Sequence, residues 1–355
     1  KLILDKYPNP VDQREALKRM KDLYQVQDKV DDWVALMKQY NLYDENKYAA
    51  DTAYFENAEN FYQSGEWANA IKTLDKYLQQ FNPAHFALQA HFYLADSYVA
   101  KGEPAKSLEH FEYVIKQPSN IYTSHSILSA ARIYLQQKNK DKAKEMYLEV
   151  EKTGNKVNDV AEARLALMNI YKEEDDLENA AVYAEKVLAD QPKDDERKAE
   201  CHYIKGKSAY RKEDYTSART SFDQVIKLTK SEKKGEAGFL LCEMRYISAQ
   251  YKQTEKELYD YFKQKPSYSY WLAKGYILLA MNYAALGDTT QAKATIKSVM
   301  DNYKKADDDI LSSAQNFLDT LTPVPSTKSG IIPEGEIQIE NGEQTPEENK
   351  EPKNE

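Results

Sequence analysis

The chain has 355 residues and a formal charge of −9; 41% of its residues are hydrophobic, 30% are charged, and Gly (11) and Pro (12) are scarce. This is ordinary for a folded chain, if somewhat charge-rich, and helical chains need few Gly or Pro inside their elements. The two cysteines, Cys201 and Cys242, exclude a disulfide framework and a zinc site, no apolar run reaches the roughly 18 residues that span a bilayer, and an acidic body argues against phosphate backbones as the ligand.

Lys1 to Pro10 reads as the end of a second helix followed by its terminating proline, with Ile3 and Pro8 in the slots that Tyr77 and Pro83 fill later, so an array is expected to continue upstream. From residue 11 to 305 one pattern recurs. Anchors fall at Lys21, Ala58, Ala95, Ala131, Met168, Gly206, Cys242 and Ala280, spaced by 36 to 38 residues. Self-similarity at such a period marks a stack of helical hairpins. Three residues past the anchor stands an aromatic in six repeats (Tyr24, Phe61, Tyr98, Tyr134, Tyr171, Tyr283). Twelve past it stands Ala, Ser or Thr in seven, and nineteen past it an apolar residue or Tyr in all eight. Apolar positions spaced three and four apart form one stripe of an α-helix. The small residue sits where the two helices of a hairpin cross, which allows a close approach of their axes. Gly65, Gly102 and Gly287 fall in the turn, where a left-handed residue ends the first helix. Residues 307–321 read as one more helix with Asp307, Asp308 and Asp309 at its positive end, and the segment 306–321 is expected to cap the last repeat. Residues 322–355 carry −5, which leaves −4 for the body, and their Pro- and Glu-rich composition is expected to be disordered. Within them Ile331, Ile332, Ile337 and Ile339 could form a short strand or dock in a groove.

The runs GEWANAIKTL, GDTTQAKATI and EDYTSARTSF make residues 11–305 resemble the tetratricopeptide repeat family. The resemblance implies an all-α fold, a right-handed α-α superhelix of antiparallel helix pairs. It also implies a non-catalytic scaffold that binds protein or peptide segments in a concave groove lined by the first helix of each repeat. Two repeats depart from the pattern: the first has Trp33 where a small residue belongs, and the one at Cys242 has Arg245 in the aromatic slot. Their hairpins are expected to open differently.

No nucleotide loop, nucleophile elbow or HExxH motif is present, and the five histidines form no ligand spacing. No enzyme activity, cofactor or metal is expected. The helical period places the positions three and six before the anchor, and one, four and five after it, on the inward face of each first helix. By that rule the candidate groove residues are Phe55, Tyr62 and Phe92 toward the N-terminus, then Arg132, Tyr203, Lys207, Tyr210 and Arg211. Tyr and Arg combine large contact area with modest entropy loss. Glu59, Asp96 and Glu243 at groove slots oppose RNA as a ligand. The Lys–Asn pair with which some family members clamp a C-terminal carboxylate corresponds here to Lys18 and Asp22, or Phe55 and Glu59, so that mode is not expected. The acidic tail could instead fold back on Arg132, Lys207 and Arg211. The alternative function is an accessory arm of a larger enzyme, for example a polysaccharide-cleaving one, whose catalytic module lies upstream. The Tyr- and Gln-rich repeats are similar in flavour to envelope-associated arrays of Gram-negative bacteria, which favours a periplasmic or outer-membrane-associated location without direct insertion.

Overall fold

A computed structural model describes residues 2–6, 9–44, 47–154, 156–305 and 307–321. The expectations for Pro8 and for 322–355, and for the side chain of Ile3, lie outside the described residues. After α1 (Leu2–Lys6) come eight successive pairs: α2 (Pro10–Val26) and α3 (Val30–Gln39), α4 (Lys47–Gln63) and α5 (Trp67–Gln80), α6 (Ala87–Ala100) and α7 (Pro104–Lys116), α8 (Thr123–Gln136) and α9 (Lys140–Thr153), α10 (Val157–Glu173) and α11 (Leu177–Ala189), α12 (Asp195–Arg211) and α13 (Tyr215–Leu228), α14 (Glu232–Ile247) and α15 (Tyr251–Phe262), and α16 (Ser269–Ala285) and α17 (Thr289–Asn302). Helix α18 (Ile310–Leu321) follows. Among the described residues there is no strand.

The chain divides into two compact units, Lys1–Met244 with Lys263–Tyr268, and Arg245–Phe262 with Ser269–Glu355. In the first, α4 through α13 pack in chain order, and α4 also touches α2 and α6. In the second, α15, α16, α17 and α18 pack in chain order, and α18 also meets α16. The division falls in the repeat anchored at Cys242, one of the two that depart from the pattern. There Arg245 fills the aromatic slot by donating to Glu257 (3.0 Å) and Gln250 (2.6 Å).

The turn inside each pair is one device used eight times. Seven residues past every anchor the chain takes a positive φ: at Gly65, Gly102 and Gly287, and equally at Asp28, Lys138, Asp175, Glu213 and Ala249. In each turn the next residue's N–H reaches back to the carbonyl three past the anchor, as in Glu66 to Phe61 (2.9 Å) and Gln250 to Arg245 (3.0 Å). This six-to-one bond satisfies a carbonyl that the helix end leaves open. The second helix then starts at once, and Asn139, Asp176, Asp214 and Asp288 cap it by accepting from the N–H three residues on. Sequence flags the turn only at the three glycines; the other five hold it because the bonds on both sides outweigh the strain.

Packing follows the columns. The anchors from Ala58 onward are buried, as are the small residues twelve past them, from Ala70 to Ala292. A further column, five before the anchor, was not read from sequence: Ala53, Ala90, Ser126, Ala163, Cys201 and Ala237 are buried there, with Gly275 in the last repeat. Gly206 and Phe222 show how columns compensate. A Cβ on Gly206 would meet the Phe222 ring at 2.6 Å, so the large ring requires the missing side chain. The first repeat packs differently at two of these columns. Trp33 is buried and donates its indole N–H to the Leu17 carbonyl (2.8 Å), while Lys21 stays half-exposed and pairs with Glu56 (2.7 Å). At the C-terminus Ile310 and Ala314 bury against Ala273, Ile277, Ala280, Ile296 and Val299. Lys274 and Tyr270 donate to Asp309 just ahead of α18, and the Asp308 carboxylate accepts from the Ile310 N–H.

Candidate functional site

The sequence-predicted residues fall into two groups on the first helices. Phe55 on α4 is stacked on Phe86 (4.5 Å) and lies 6.0 Å from Tyr93 of α6; Tyr62, one turn beyond the anchor, stacks on that same Tyr93 at 4.3 Å. Phe92 stacks on Tyr122 (4.4 Å). Phe55 and Phe92 are themselves buried, so they form the base of an aromatic cluster, and its half-exposed surface is Tyr62, Tyr93 and Tyr122. Phe86, Tyr93 and Tyr122 were missed. Phe86 and Tyr122 stand nine before their anchors, one turn beyond the slots used, and extending the stripe by that turn would have found them.

Polar ends of this cluster tie neighbouring repeats together. Tyr62 donates to Asp96 (2.8 Å) and Tyr93 to Glu59 (2.9 Å). Burial, then the adjacent carboxylate, pushes the Tyr62 hydroxyl far above its ordinary range, so it remains a donor. Asp96 is held below the usual carboxylate range by His125 and, against burial, by Tyr62.

Farther along, each predicted residue also has a partner on a neighbouring repeat. Arg132 makes a two-pronged contact to Glu162 (2.6 Å at each prong). Tyr203 and Lys207 converge on Glu236 at 2.6 and 2.7 Å, Tyr210 donates to Glu243 (2.6 Å), and Arg211 grips Asp175 at 3.0 and 3.2 Å. Lys172 and Lys233 share Glu200 in the same way (3.0 and 2.7 Å), and the two cations hold that acid ionised against its burial. The middle of this face therefore reads from sequence as basic but carries its acids in alternation. The cations proposed to receive the acidic tail already have carboxylates. Pairs of this kind lie about one repeat apart in sequence, at 28 to 36 residues, which a repeat-by-repeat reading does not reveal.

A cavity of about 880 Å³ opens on the same slots in the first two repeats. Glu15, Lys18 and Asp22 of α2 and Thr52 of α4, at offsets predicted to face inward, line its rim; Leu17, Trp33 and Met37 form an apolar floor, and Tyr48 stands at the side. It exists where the pattern fails. Lys21 replaces the small anchor and Trp33 the small crossing residue, so the helices do not close over this spot.

Two histidines that lie 19 residues apart in sequence meet. His91 on α6 and His110 on α7 face one another with their Nδ1 atoms 2.9 Å apart, and Tyr113 stacks on His91 (3.8 Å). Burial first, and for His91 the second imidazole, pushes both down to about 4. Cys201 and Cys242 are buried free thiols, and burial raises Cys201 to about 11, which leaves it a poor nucleophile. Among the described residues no group of three or more His, Cys, Asp or Glu could hold a metal, and no helix is long and apolar enough to cross a membrane.

Sequence models of the tetratricopeptide repeat match residues 46–121, 124–152 and 275–306. No curated protein matches the chain. Among solved structures it is similar to a tetratricopeptide repeat protein from Parabacteroides merdae, at 13% identity over 75% of this chain and 99% of that one, with a TM-score of 0.36. It is also similar to YrrB, a tetratricopeptide repeat protein with an unusual peptide-binding site, at 16% identity over 59% and 99%, TM-score 0.42. A third is the TPR2AB domain–pHSP90 complex of yeast Sti1, at 16% identity over 77% and 97%, TM-score 0.37.

Proposed function

The chain belongs to the tetratricopeptide repeat family, and we propose that it is a non-catalytic scaffold that holds segments of other proteins against the first helices of its repeats. The observation that carries this reading is the N-terminal cavity. An apolar floor of Leu17, Trp33 and Met37, ringed by Lys18, Glu15 and Asp22, is the arrangement that buries an apolar side chain while the rim orients the polar chain around it. The neighbouring aromatic surface of Tyr62, Tyr93 and Tyr122 extends the contact. The Tyr62 and Tyr93 hydroxyls are already fixed by acids, so binding there freezes few rotors. Arg132, Tyr203, Lys207, Tyr210 and Arg211 act in this reading through their fixed alternation of charge, which selects segments of mixed charge and disfavours a polyanion.

The test is affinity capture by the full chain, read quantitatively. Lys18→Glu combined with Tyr48→Ala alters the exposed rim of the cavity, and Lys72→Glu changes another exposed position, on a second helix. The reading expects the first variant to lose most captured proteins and the second to keep them. Equal behaviour of the two ends it.

A further inference from the structure

In the C-terminal unit a cleft of about 670 Å³ lies among α15, α16 and α17. One wall is Leu272, Tyr276, Leu279 and Tyr283, a single stripe of α16; the facing wall is Gln291, Thr295, Ser298 and Asn302, a stripe of hydroxyls and amides on α17. No lining residue carries a formal charge, in a chain that is 30% charged. Three tyrosines are exposed among the described residues, namely Tyr48, Tyr259 and Tyr276. Tyr48 belongs to the N-terminal cavity, and the other two line this cleft, 45% and 41% exposed. Both are held ready. Phe262 lies flat on one face of Tyr276 (4.1 Å, 11°), and the Tyr259 hydroxyl is bonded to that of Tyr283 (2.7 Å). A groove with rigid rings on one side, hydrogen-bonding groups on the other and no charge fits an uncharged extended peptide with apolar or proline side chains.

The chain itself supplies one. Between Lys328 and Glu334 run the five uncharged residues Ser329, Gly330, Ile331, Ile332 and Pro333. The stripe from Leu272 to Tyr283 is about 16 Å long at helical rise, which is the length of about five residues in a polyproline-type extended chain. Reach is sufficient. Tyr303 lines the cleft and donates to Asp308, immediately before α18, so that helix starts beside the cleft. Its length carries the chain about 18 Å onward, and residues 322–331, if extended, span about 31 Å.

We propose that Ser329–Pro333 docks in this cleft, with Ile331 and Ile332 against the rings of Tyr259 and Tyr276 and the segment's backbone along the α17 row. The acidic residues from Glu334 onward stay outside, because no cation lines the cleft to receive them.

The test is nitration of the full chain by tetranitromethane, followed residue by residue in a mass spectrometer. Ile331→Asp with Ile332→Asp leaves every residue of the described helices unchanged, and a far-ultraviolet circular dichroism spectrum equal to that of the native chain checks that the variant folds. The proposal expects Tyr259 and Tyr276 to react about threefold or more faster in the variant, as for a cleft filled about two-thirds of the time in the native chain. Tyr48, in the other unit, keeps its rate, and a synthetic peptide of residues 327–335 slows Tyr259 and Tyr276 of the variant again. Equal rates in both chains overturn the proposal. So does a peptide that protects the native chain as well as the variant, since the cleft would then be open to a segment from another protein.

Discussion

At Ala249 the backbone sits at φ +55°, a conformation that costs an L-residue about 1–2 kcal/mol. Glycine there removes the strain and adds back some unfolded-state entropy. Ala249→Gly is therefore expected to stabilise the protein by about 0.5–1 kcal/mol in a denaturant titration. The converse holds at Gly102, whose φ is +84° and where an added Cβ meets nothing within 4 Å. Gly102→Ala should cost about 1 kcal/mol through backbone strain alone. Gly206 fails for another reason. Its added Cβ would stand 2.6 Å from the Phe222 ring, so Gly206→Ala is expected to lose about 1–3 kcal/mol by overpacking. Phe222→Leu in the same chain should return part of it, whereas strain of the backbone would not respond. Only three of the eight turns were legible as turns, because an Asp, Lys, Glu or Ala gives no sign that its neighbours will force it left-handed.

Between helices α6 and α7 the legible pattern was the stripe of Ala95, Ser107 and Val114, all buried as their offsets require. What the stripe did not show was that His91 and His110, four before and fifteen after one anchor, would meet across the hairpin. Their titration has a sign. Both are held at about 4 in the folded chain, against roughly 6.5 when unfolded. The unfolded state therefore binds protons first, and stability that is complete above pH 6.5 is lost as pH falls through 4. With the two Nδ1 atoms 2.9 Å apart the rings also cannot both be charged without repulsion. The denaturation midpoint should fall between pH 6.5 and 4, and His110→Leu should flatten that part of the curve. An unchanged slope in the variant would show that other groups govern the acid limb.

Across the whole molecule, the helix pairs and buried columns were legible because each depends on residue size at a fixed offset within one repeat. The ties between repeats were not, since Arg132 with Glu162 or Tyr210 with Glu243 requires two repeats to be read at once. The cavity was legible only as a defect: Lys21 and Trp33 mark where the pattern breaks, and the open space is what the break leaves. We propose that partner proteins lie on the first-helix face at that cavity. It is tested most directly by placing a photoreactive amino acid at position 18 or 48, and for comparison at position 72, in the full chain in its own cells. Crosslinked partners at 18 and 48 with none at 72 are the predicted result. Crosslinks at 72 as strong as those at 18 and 48 would contradict it.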